Sequence, residues 1–128
     1  MATQATPWGV VMDWGVTNGS ATVVAFSDGH ASIYLSGGGG YLGGAESHDS
    51  IRNAAKKMIA IAAECQLQAN PTKSYPLPER GHVTFYFLTD SGIFSAAATE
   101  DDLGKHHGSM SKLGDAAQEV ITQYRLIQ

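Results

Sequence analysis

A chain of 128 residues has room for one domain with one core, burying roughly two thirds of the surface its unfolded form would expose. Charged residues make up only 16% of it, below the roughly 25% of an average soluble domain, and its net charge of −4 comes without a basic patch, which excludes a nucleic-acid footprint. No apolar run is long enough to span a bilayer, the first ten residues lack a basic and apolar leader pattern, and the single Cys65 cannot form an internal disulfide, so a cytoplasmic location is expected, without membrane contact.

The first third of the chain reads as strands separated by turns. Trp8, Val10, Met12, Trp14 and Val16 alternate with Gly9, Val11, Asp13 and Gly15, the period of two of a strand with one well-buried face. Asn18-Gly19 and Asp28-Gly29 are strong hairpin signals, which place a second strand near Ser20–Ser27 and a third near His30–Ser36. Six of the eight residues from Gly37 to Gly44 are glycine, in the handover from this third strand to a helix beginning near Ser47. Ser47-His48-Asp49-Ser50 is rich in capping residues. Beyond it Ile51, Ala55, Met58, Ala62 and Cys65 recur at steps of four and three, the stripe of an amphipathic helix.

The segment Gln68–Gly81 holds Pro71, Pro76 and Pro78 without periodicity and reads as a loop with extended stretches. His82–Thr89 is apolar on both faces, with Val83, Phe85 and Phe87 on one and Tyr86 and Leu88 on the other, as in a central strand. Asp90-Ser91-Gly92 turns it into a fifth strand, Ile93–Ala98. Thr99 and Asp102 are spaced for a cap on one short helical turn closed by Gly104. Leu113, Ala117, Val120, Tyr124 and Ile127 then repeat the four-three stepping in a last helix from about Ser111.

Three constellations could carry chemistry. Gly38, Gly40 and Gly43 satisfy G-x-G-x-x-G, the spacing of a dinucleotide-binding turn, but dense glycine produces that match cheaply. The preceding strands moreover read as antiparallel hairpins, and Glu64 falls inside a helix instead of at a strand end. The favoured reading of the run is a wide flexible turn or a strand-edge irregularity, with contact to a ligand or partner as the alternative. Glu46, His48 and Asp49, with Asp101, Asp102, His106 and His107, hold ligand types for a divalent ion, but no His-x-x-x-His or Cys-x-x-Cys pair is present. Capping and loop solvation are favoured, and neither a metal nor another cofactor is expected. Cys65 lies on the apolar stripe of its helix, the place of an inert core residue, and no nucleophile-elbow pattern occurs.

The pattern Tyr75-Pro76-Leu77-Pro78, then Val83-x-Phe85-Tyr86-x-Leu88-Thr89 with Gly92, Ala96-x-Ala98-x-Glu100-Asp101-Asp102-Leu103-Gly104 and Gln118-Glu119-Val120-Ile121-Thr122-Gln123-x-Arg125 resembles a family of small uncharacterised bacterial proteins. The likeness extends over most of the chain from Asp28 onward. It implies a bacterial, soluble origin and carries no assigned activity.

The expected fold is α+β: a single antiparallel sheet of about five strands in the order βββ-α-ββ-α, with both helices on the face of Val83, Phe85 and Phe87. It loosely resembles profilin-like and roadblock-like modules, though the element order differs from theirs. The expected function is a non-catalytic interaction or regulatory module, acting as a homodimer or with a protein partner. The alternative is a small-ligand-binding protein or enzyme using Gly37–Gly44 and the nearby histidines and acids. Candidate contact residues are Gly37, Gly38, Gly39, Gly40, Tyr41, Gly43 and Gly44 in the run, and Tyr34, Tyr86 and Leu88 on the sheet face that the helices leave uncovered.

Overall fold

The structure, a computed structural model, describes residues 7–16, 19–37, 40–42, 48–104 and 108–126. Strands β1 (Gly9–Val16), β2 (Gly19–Phe26) and β3 (Ala31–Leu35) form an antiparallel meander, and β3 continues into a short edge strand β4 (Gly40–Leu42). Helix α1 (Asp49–Cys65) carries the chain to the opposite edge, where a two-residue strand β5 (Asn70–Pro71) pairs with β7 (Gly92–Thr99). Strand β6 (His82–Thr89) enters between β7 and β1, so the sheet order is β4-β3-β2-β1-β6-β7-β5 with every pairing antiparallel. The chain closes with α2 (Glu100–Gly104) and α3 (Gly108–Leu126).

The register explains the core. Val10 pairs with Ala25 and Phe87, Met12 with Val23 and Phe85, and Trp14 with Ala21 and Val83, which puts one apolar row after another on one face. Against that face lie Ile51, Ala55, Met58 and Ala62 of α1 and Leu113, Ala117 and Val120 of α3, all fully buried. The stepping of four and three is what aligns each set along its helix. Tyr124, near the end of α3, donates its hydroxyl proton to the carbonyl of Ala31 at 2.8 Å and so ties the helix to β3. Cys65 is buried at the end of α1 within the same cluster.

The expected class, single sheet and one-sided helices are all present, with two strands more than the expected five. Both extra strands sit at sheet edges and are too short to carry a period of two. Pro71 fits there because an edge strand needs no inward donor from it. Asp28-Gly29 does form the β2–β3 turn: Gly29 has φ 96°, and its N–H donates to Phe26 O at 2.9 Å. Asp28 Oδ1 accepts the His30 N–H at 3.0 Å, and this bond, with the His30 ring beside it, lowers the Asp28 pKa. At α1 the N-cap is His48, whose side chain makes no cap bond; Asp49 instead pairs with Arg52 one turn on. Thr99 caps α2 as its spacing indicated, accepting the Asp102 N–H at 3.1 Å.

Candidate functional site

The sheet face away from the helices is built by the alternate residues of the same strands. Phe26 and Leu88 flank Gly9 in one cross-strand row, Val24 and Tyr86 flank Val11 in the next, and Thr22 and Thr84 flank Asp13 in the third. Tyr34 extends the third row from β3, opposite Thr22. Trp8 stacks on Phe26 with ring centroids 6.5 Å apart and planes 4° from parallel. The face therefore grades from aromatic and aliphatic at the Trp8 end to polar at the Asp13 row.

Tyr86 does point away from the helices, yet it is not open to solvent as the uncovered face would require: it is only 5% exposed. The proline-rich segment 72–81 crosses this face as a strap. Tyr75 meets the Tyr86 ring edge-on at 5.5 Å, and the Tyr86 hydroxyl donates to Pro76 O at 3.4 Å. That bond is long for a hydroxyl donor, so packing contributes more than hydrogen bonding here. Gly81 N–H donates to Gly15 O at 3.0 Å, and a Cβ on Gly15 would sit 2.0 Å from the carbonyl oxygen of Glu79. Gly15 is thus glycine because the strap backbone lies directly on it. Burial, with the negative charge of Asp13 and the neighbouring Tyr75 as lesser causes, raises the Tyr86 pKa above its ordinary value.

The other candidates are placed unevenly. Leu88 is half-buried and Tyr34 is 49% exposed. Gly37 stands in open space beyond β3, and Gly40 and Tyr41 pair with Tyr34 and Ile33 as part of β4. Gly38, Gly39, Gly43 and Gly44 lie outside the described residues. Since β3 runs antiparallel to both β2 and β4, the strand entering the glycine run is not part of a parallel dinucleotide-binding unit. Of the histidine-acid set, Glu46, His106 and His107 also lie outside the described residues, and among the described residues no three His, Cys, Asp or Glu side chains gather as metal ligands.

Asp13 belongs to none of the sequence motifs, yet the fold gives it a distinctive place. Nearly buried on the helix-free face, it accepts a 2.6 Å hydrogen bond from the Thr22 hydroxyl. Its only sequence signal is a charge inside an otherwise apolar alternation, at a position where charge is seldom buried without a partner.

No family model, curated protein or solved structure matches this chain. No helix among the described residues is long and apolar enough to cross a membrane.

Proposed function

We propose that this protein is a non-catalytic interaction or regulatory module that works as a homodimer, with the helix-free sheet face and its strap as the contact surface. A bacterial, cytoplasmic setting belongs to the same reading. The observation that carries it is the distribution of exposed apolar bulk. Of the six large apolar side chains left exposed among the described residues, Trp8 (45%), Tyr34 (49%), Tyr75 (53%) and Leu77 (69%) belong to this face or to the strap over it. Phe26, Leu88, Val11 and Val24 fill the space between them, each partly exposed.

Large apolar side chains gathered in the open on one face support an interaction site there. Low surface charge favours the same outcome, because little like-charge repulsion opposes the approach of a second copy. A two-fold arrangement is the commonest way for a small domain to cover such a face, and each Å² of apolar area removed from water favours it by about 25 cal/mol before the cost of association. The strap makes the surface a composite of sheet and loop, so a protein partner with a complementary apolar surface could take the place of the second copy.

The test is substitution at Leu88 or Phe26 by lysine, with Ser91→Ala as a control in the β6–β7 turn. Sedimentation should show the lysine variants as monomers and the control unchanged. Unaltered association in both lysine variants would remove this face as the contact.

A further inference from the structure

The strap divides the helix-free face into a ridge and a hollow. It leaves the β7 edge where Thr72 N–H donates to Ile93 O at 2.9 Å, passes over the Tyr86 ring on β6, and comes down on Gly15 near the end of β1, where Gly81 N–H donates to Gly15 O at 3.0 Å. Beside it β1 and β2 leave Val11, Val24 and Phe26 partly exposed, with Trp8 stacked on Phe26 and itself 45% exposed. We propose that the strap is the docking element of the homodimer: Pro76-Leu77-Pro78 of each copy seats on the Trp8, Val24 and Phe26 surface of the other, about a two-fold axis perpendicular to the sheet. This docking presupposes the homodimer proposed above and fixes how its two copies meet.

The ridge is suited to an apolar, aromatic surface. Residues 74–79 run extended, without a helix or turn. Pro76 and Pro78 have fixed φ and keep the residues before them, Tyr75 and Leu77, out of the helical region. The two prolines bring no N–H, and Pro76 O already accepts from the Tyr86 hydroxyl, so burying this stretch takes few bare polar groups out of water. Ser74–Pro78 carries no charge, and Leu77 stands 69% exposed between the two proline rings. Extended proline-rich chain docks on aromatic-lined surfaces because a stiff ridge has little conformational freedom to lose. Here both ends of the strap are anchored on the sheet, so the order is in place before docking.

The hollow supplies the matching surface on the same face. Trp8 and Phe26 lie stacked, 4° from parallel, and Val24 continues the apolar surface along β2 beside Val11 of β1. A face that carries both a ridge and the surface for it is self-complementary, which is what an isologous two-fold contact requires. The strap stands a chain's thickness above the sheet, so two copies meeting face to face without this offset would be held apart and leave Trp8 and Phe26 in water. Seating each ridge beside the other's Phe26 covers Leu77 and Trp8 in one step.

Sedimentation and cross-linking of the full chain test the docking. Leu77→Ala should raise the dimer dissociation constant about tenfold or more, because the two-fold axis loses the contact twice, and Leu77→Lys should give monomers. Leu77 is so exposed that both variants should keep the melting temperature of the isolated chain. Leu77→Cys and Val24→Cys proteins, prepared separately and then mixed with a short bis-maleimide, should yield a cross-linked pair of one chain of each kind. Lys57→Cys, on the exposed side of α1, should give no such pair with Leu77→Cys. A dimer whose dissociation constant is unmoved by both Leu77 substitutions, or one in which the Leu77→Cys and Val24→Cys chains do not cross-link, would overturn strap docking while leaving the homodimer standing. A monomeric unmodified chain would overturn both.

Discussion

Replacing Gly15 by alanine drives a methyl group into the strap. The added Cβ would stand 2.0 Å from Glu79 O, 2.5 Å from Glu79 C and 2.7 Å from Pro78 O, where ordinary contact begins at 3.4 Å. All three atoms are backbone, so no side-chain rotation relieves the clash and the strap must lift by about 1 Å or more. Lifting breaks the Gly81 N–H to Gly15 O bond, worth about 0.5–1.5 kcal/mol, and partly uncovers the Tyr86 ring, whose complete burial is worth at most about 3 kcal/mol. Alanine in place of glycine in a strand returns about 0.5–1 kcal/mol. The net expectation is destabilisation of roughly 1–3 kcal/mol. Denaturant unfolding measures it directly, and each 1 kcal/mol corresponds to about 2–8 °C in Tm for small domains. Ultraviolet titration of the tyrosines provides the diagnostic: with the strap displaced, the raised Tyr86 pKa should fall back toward its ordinary value. Unchanged stability together with an unchanged tyrosine titration would refute the strap as a packed element.

Further predictions address the core, the helix tether and pH. Phe85→Ala, at a fully buried position between the Met12 and Ala96 strands, should cost about 3–5 kcal/mol by equilibrium unfolding. Tyr124→Phe removes the donor to Ala31 O and should cost about 1–3 kcal/mol, with faster hydrogen exchange in β3. Because the Tyr86 pKa is raised in the folded state, its contribution to stability is complete below pH ~10 and is lost as pH rises through the folded pKa. Tyr86→Phe should therefore flatten the alkaline limb of the stability profile, whereas an identical limb in both proteins would argue against a buried phenol.

Legibility followed the length of each pattern. Val83, Phe85 and Phe87 against Tyr86 and Leu88 mark a strand apolar on both faces, and β6 is an interior strand of the sheet, between β1 and β7. The α1 and α3 stripes, repeating over several turns, identify the buried sides of both helices. Strands β4 and β5 hold three and two residues, too few for a period to emerge against glycine and proline backgrounds. The strap was invisible for a related reason: Tyr75 and Pro76 reach Tyr86 by tertiary packing, and a loop without periodicity does not announce which face it crosses. Trp14 likewise meets Glu100, 86 positions later, a pairing that only the β1–β6 register and the α2 cap create together. Neither residue carries a local signal of the other.

The most direct test of the proposed function is the mass of the unmodified protein in solution at micromolar concentration, by sedimentation equilibrium, alongside Leu88→Lys. Association through the helix-free face predicts twice the chain mass for the unmodified protein and the single-chain mass for a folded Leu88→Lys variant. A clean monomer for the unmodified chain across that range would contradict the homodimer and leave Trp8, Tyr34, Tyr75 and Leu77 without the second copy they are proposed to meet.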